Sequence, residues 1–187
     1  MNLREVDEES FDDDPMAYVH LDLEGSESDT RRRAASDLVR GLVEHFAQQV
    51  TEIFGRYIQS FLEGYAKDFK QNWKAKDTAL YLITSLCAKG VHQQSGIISL
   101  NEFVPLVDLF NGHILTDLQA PVDGAIHPIV KVDCIKFVMI FRTQLPNIKD
   151  LIPVLISHLG STSPAVYTYA SICIEKVLTT RVEEKFL

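Results

Sequence analysis

The chain has 187 residues, 46% of them apolar and 24% charged. That is the size and composition of one folded domain, or of one slice of a larger one, and it excludes a chain disordered throughout. The three cysteines, Cys87, Cys134 and Cys173, lie far apart without a C-x-x-C pair; this excludes a disulfide scaffold and a cysteine-rich zinc site and points to a reduced, intracellular protein. The net charge of −8 is not spread evenly: residues 1–29 hold eleven acids and one base, and the remainder is close to neutral, a balance that repels nucleic acid and suits a basic protein partner.

Helix start signals dominate, and strand signals are weak. Residues 1–14 read as a flexible acidic segment. Asp12-Asp13-Asp14 lacks the alternating ligands and glycine of a calcium loop, so no metal is expected. Either the segment is a solvated tail or it is an acidic surface for a basic partner. No signal or transit peptide is expected from so acidic a start.

From residue 15 onward the capping and proline signals place helices near 15–24, 29–46, 48–69, 73–89, 100–118, 128–144, 147–159 and 164–181. Pro15, Pro128 and Pro164 each sit where a first helical residue needs no N–H, and Asp14, Asp29, Asn72 and Ser163 are candidate caps. The spacing of Ser99 and Glu102 fits a capping box. Pro105 and Pro153 mark kinks or true first turns. Residues 90–98 and 119–127 read as loops. The uncharged run Leu151–Ile174 is broken by turn residues around Gly160, so it reads as two short helices and not as a membrane span.

An apolar face recurs four times. Ala35, Ala79, Cys134 and Ala170 align as small anchors. Three, four and seven positions later stand Leu38, Val39 and Leu42; then Leu82, Ile83 and Leu86; Phe137, Val138 and Phe141; and Cys173, Ile174 and Val177. The anchor separations of 44, 55 and 36 residues bracket the period of HEAT and armadillo arrays. Any bundle yields such faces, but the small residue at one place each time favours an all-α HEAT-repeat superhelix of about four helix pairs over residues 15–187. Isolated arrays lack capping repeats, so self-association of the chain is expected.

Chemistry is sparse. The phosphate-loop, zinc-protease, nucleophile-elbow and dinucleotide fingerprints are all absent. His20, His45, His92, His113, His127 and His158 are scattered, with no two at metal-ligand spacing on one helix. The cysteines fall on apolar faces, where they act as small hydrophobes. Trp73 reads as a packing anchor. The triplet Arg31, Arg32 and Arg33 opens a helix, where the macrodipole disfavours cations. It therefore needs acidic neighbours, from Glu27, Asp29 or an adjacent repeat, or else serves an acidic partner. No enzyme and no cofactor is expected.

Three strings carry a more specific resemblance. They are DLEGSESDTRRRAASDLVRG at Asp22–Gly41, NWKAKD at Asn72–Asp77 followed by LYLITSL at Leu80–Leu86, and IKFVMIFRTQ at Ile135–Gln144. Together with the acidic stretch ahead of the first string, they resemble the exportin-2 family of HEAT-repeat karyopherins. The resemblance implies a fragment of a nuclear export receptor that binds importin-α cooperatively with GTP-loaded Ran and shuttles between nucleus and cytoplasm. It implies no catalytic role, nucleic-acid partner or membrane insertion. An acidic loop in this region of the family touches Ran, which assigns that contact to Glu5, Asp7, Glu8, Glu9, Asp12, Asp13 and Asp14. The alternative is a HEAT or armadillo scaffold unrelated to Ran.

Overall fold

A computed structural model describes residues 2–24, 31–92, 96–124 and 126–180. Two short helices, α1 (Glu5–Asp13) and α2 (Pro15–Glu24), precede a long α3 (Arg31–Lys67) and α4 (Trp73–Cys87). A hairpin follows, β1 (Ala88–His92) and β2 (Gly96–Leu100). Then come α5 (Leu106–Leu109), a π turn (Phe110–Ile114), α6 (Leu115–Gln119), α7 (Pro128–Ile140), a 3-10 turn (Ile148–Leu151), α8 (Ile152–His158) and α9 (Pro164–Thr179).

The short connection from α3 to α4 makes them antiparallel neighbours, as in repeat proteins. The pairs α3–α4, α5/α6–α7 and α8–α9 stack so that α4, α7 and α9 form one continuous layer. That layer is the core: Ala79, Ile83, Cys134, Val138, Phe141, Ala170 and Cys173 are fully enclosed. The small anchors let the helices approach closely, as the recurring face requires. The first copy is shifted by one residue. Ser36, Val39 and Val43 face the core, and Leu38 is 64% exposed. The cause is polar: the Ser36 and Ser85 hydroxyls meet at 2.7 Å inside the α3–α4 interface, so a small hydroxyl, and not Ala35, takes the anchor position.

α3 bends where the sequence reading ends one helix and starts the next, at Phe46, whose φ of −136° and ψ of 41° are not helical. Pro105 and Pro153 mark first turns, at the edge of α5 and inside the first turn of α8. Two expectations are corrected. Residues 90–98, read as a loop, lie largely in the antiparallel hairpin, with Ala88 opposite Leu100 and Val91 opposite Ile97; β-branched Val91, Ile97 and Ile98 suit a pleated strand. Helix five does not begin at the Ser99–Glu102 box. Asn101 is buried there, donating to the Leu86 carbonyl at 3.1 Å and to Thr51 Oγ1 at 2.8 Å, which pins the hairpin's end to α4 and α3 and delays the helix to Leu106.

Buried charge locks neighbouring pairs. Lys76, 2% exposed, pairs with Asp117 at 3.0 Å and donates to the His113 carbonyl, which the π turn has taken off the regular helical ladder. Lys131, 1% exposed, donates to the Asp117 and Ala120 carbonyls at 2.6 and 3.0 Å and so caps the C-terminus of α6. His158 Nε2 lies 2.8 Å from the Leu118 carbonyl, tying α8 to the preceding pair. Among the described residues, no helix is long and apolar enough to cross a membrane.

Candidate partner-binding face

The acidic N-terminal segment lies across the α4–α7–α9 layer. The sequence reading places no helix before residue 15, yet residues 5–13 form α1. The Arg4 guanidinium reaches both carboxylate oxygens of Asp7 at 2.9 and 3.0 Å. This interaction holds the Asp7 carboxyl below its usual range and fixes the first turn. Asp14 Oδ1 accepts from the Ala17 N–H at 2.9 Å and caps α2. Leu3, Phe11 and Val19 turn inward and are buried; the Phe11 ring meets Tyr18 edge-on at 5.1 Å.

Polar contacts at Asn2, Glu8 and Asp22 fasten this strap to the layer. Glu8 pairs with Lys74 at the start of α4. Thr78 of α4 donates to Asn2 at 3.3 Å. Lys136 of α7 donates to both oxygens of Asp22 at 2.9 and 2.7 Å, and the Tyr169 hydroxyl of α9 donates to the same carboxylate. Burial pushes the Asp22 carboxyl up, but the Lys136 charge and these hydrogen bonds outweigh it, so its pKa is lowered. Lys136 is raised well above its ordinary value: burial opposes this, and Asp22 overrides burial.

The seven acidic site candidates divide by geometry. Glu5, Glu9, Asp12 and Asp13 are exposed. At i, i+4, i+7 and i+8 they share one face of α1, opposite Phe11. Asp7, Glu8 and Asp14 are spent on Arg4, Lys74 and the α2 cap. The arginine triplet divides too. Arg32 pairs with Asp77 of α4 at 2.7 Å and lies 4.1 Å over the Tyr81 ring, an internal ion pair between successive helices. Arg31 and Arg33 are exposed. Glu27 and Asp29, named as possible partners of the triplet, lie outside the described residues.

Beneath Arg32, burial and then the Asp77 charge hold the Asp133 carboxyl well above its ordinary value. Asp77 Oδ1 and Asp133 Oδ2 are both enclosed without a hydrogen bond among the described residues. Sequence reasoning missed this pair and the Asp22–Lys136–Tyr169 anchor. The anchor joins residues 114 and 147 positions apart, and no local pattern signals it. Trp73 anchors the edge of the face: its ring stacks on His127 at 3.8 Å, nearly parallel, while His127 Nδ1 accepts from the Ile129 N–H and caps α7.

Cys87 and Cys173 are buried, and burial pushes their thiols up to about 12, so neither is a thiolate at neutral pH. The described residues hold no cluster of three or more potential metal ligands. What the face can do is present four carboxylates, held by a helix on a rigid support, to a cationic surface.

The comparisons agree with that architecture. The family model named Cse1 matches residues 1–174. Exportin-2 of Homo sapiens is 48% identical over 97% of this chain, and exportin-2 of Mus musculus is 49% identical over the same share. The chain spans about a fifth of the length of these relatives, 19% in both cases. A solved structure, described as the exportin Cse1 in its cargo-free, cytoplasmic state, superposes with a TM-score of 0.87 at 41% identity; the match covers 95% of this chain and 20% of that one. A stacked helical array, an acidic strap and near-complete coverage by one family model together place the chain in the Cse1 family, the exportin-2 group of HEAT-repeat transport receptors.

Proposed function

We propose that the chain is the part of a nuclear export receptor that takes hold of GTP-loaded Ran while importin-α is bound, and that the whole receptor returns importin-α from nucleus to cytoplasm. The observation that carries this reading is the exposed carboxylate face of α1, built from Glu5, Glu9, Asp12 and Asp13, with α1 tied to α4 by the Glu8–Lys74 pair and joined through α2 to α9. A concentrated negative face speeds arrival of a basic partner and selects against acidic ones. Asp7, Glu8 and Asp14 belong to the same contact as supports: they hold the helix that displays the other four. The receptor works by binding and release, without catalysis, and it shuttles between the two compartments. The chain on its own self-associates through the exposed apolar stripe of α3, Ile53 and Tyr57.

A pull-down tests this reading. The chain is immobilised and offered Ran in its GTP and GDP forms, with and without importin-α. Retention of the GTP form, strengthened by importin-α and weakened between 50 and 300 mM salt, is the expected result, the salt range following from about a 2.4-fold change in screening length. Retention of neither form under any condition counts against a direct role of this segment in holding Ran.

A further inference from the structure

A groove lies between α3 and the segment leading into α5. Its volume is about 780 Å³. The floor is apolar: Ile58 and Leu62 of α3 and Leu86 of α4, all at least nine-tenths buried. Phe103, 44% exposed, stands at one wall. The α3 wall runs from Gln48 to Ala66, about 27 Å at the helical rise of 1.5 Å per residue, which is the length of a five-turn helix.

The rim along α3 is acidic and held in place. Gln48 Nε2 donates to Glu52 at 3.1 Å, and Gln59 Nε2 donates to Glu63 at 2.9 Å. Glu52 and Glu63 both line the groove, and eleven residues put them three helical turns apart, about 16 Å. Between them, about one turn beyond Glu52, is Gly55. A glycine inside a helix costs conformational entropy, and a Cβ added at Gly55 meets no atom within 4 Å. The fold therefore has room for a side chain there, and the missing one leaves the middle of the groove open. Gly41 and Gly64 of α3 also have open space, but neither lines the groove. The groove lies between successive helix pairs, on the flank of α3 opposite exposed Ile53 and Tyr57.

We propose that this groove docks an amphipathic helical segment of a partner protein, with its apolar stripe on Ile58, Leu62 and Leu86 and with lysine or arginine side chains three turns apart on Glu52 and Glu63. Charge complementarity selects this occupant. An acidic helix would meet two like charges, and a neutral one would bring no counter-charge to either carboxylate. The inference does not depend on the Ran reading, because α1 lies on the other layer of the array.

Fluorescence anisotropy on the full 187-residue chain tests it. The probes are 18-residue helical peptides with leucine at i, i+4, i+7 and i+11, and with lysine, glutamine or glutamate at the flanking positions. The lysine peptide is expected to bind saturably, the glutamine peptide at least threefold more weakly, and the glutamate peptide not at all. Gly55→Leu, which fills the groove at a site with free space, is expected to weaken the lysine peptide at least tenfold while the melting temperature stays level or rises. E52Q with E63Q is expected to remove the preference for lysine. Absence of saturable binding by the lysine peptide overturns the proposal, as do equal affinity for all three peptides and indifference to Gly55→Leu. Self-association of the chain that Gly55→Leu abolishes overturns the occupant and assigns the groove to a second copy.

Discussion

The α4–α7–α9 layer and the α1–α2 strap use different physics. The layer is held by interdigitated apolar side chains, with Phe137, Phe141, Ile83 and Tyr169 almost wholly enclosed. The strap has three inward apolar residues, Leu3, Phe11 and Val19, and is otherwise fastened by ion pairs and single hydrogen bonds. Dispersion and burial inside the layer are collective and hard to remove piecemeal. Partly exposed ion pairs are worth little each and weaken with salt. The lesson is a division of labour: a stiff support for position, and a separately fastened element for charge.

Four substitutions can break or sharpen that contrast. The largest expected effect is Phe141→Ala, which leaves a cavity among fully buried neighbours and costs about 3–5 kcal/mol; chemical denaturation should show one cooperative transition shifted as a whole. Lys76→Met comes next. It strands Asp117 opposite a neutral side chain and leaves the His113 carbonyl unpaired. The expected cost is about 3 kcal/mol, reported as early melting at the contact between the first two pairs. Double replacement of Lys76 and Asp117 by apolar residues should recover most of that loss.

Lys136→Ala acts on the strap alone. It should cost only about 1 kcal/mol globally, but residues 5–22 should exchange amide hydrogens much faster while α7 stays protected. If α7 and the strap lose protection together, the two regions are one unit and the contrast fails.

Asp133→Asn has the opposite sign. The native pKa of Asp133 is raised, so its contribution to stability is full below the ordinary carboxylate value and is lost as pH rises through the native one. At pH 7 the variant should therefore be more stable by roughly 1 kcal/mol, and that gain should vanish near pH 3.5, below the ordinary aspartate pKa of about 3.9. Melting temperatures of both proteins across that range check the sign.

Much of this contrast was legible in the sequence. The recurring faces at Ala79, Cys134 and Ala170 specify the layer because each copy carries its own periodic signal. The bend of α3 falls at the boundary read between helices 29–46 and 48–69; the cap at Asp14 was legible from local composition, while Asn72 and Ser163, read as caps too, make no side-chain cap bond. The first copy slipped by one residue because Ser36 and Ala35 are equally small; only Ser85, on another helix, decides between them. The hairpin was hidden by its short, polar middle, although Ile97 and Ile98 favoured a strand. α1 was hidden by its acidity, yet Phe11 opposite four acids at helical spacing is a helix signal. The strap's anchor and the Lys76–Asp117 lock were illegible, since each joins residues that only the tertiary fold brings together.

The most direct test of the central claim compares two proteins in one titration with GTP-loaded Ran and importin-α. One is the parent chain. The other carries Glu5→Gln, Glu9→Gln, Asp12→Asn and Asp13→Asn, four changes on the exposed face that leave Arg4–Asp7, Glu8–Lys74 and Asp22–Lys136 in place. Equal melting temperatures are expected, and for the variant at least tenfold weaker binding with a flatter dependence on salt. Equal affinity for both proteins, at every salt concentration, would contradict it.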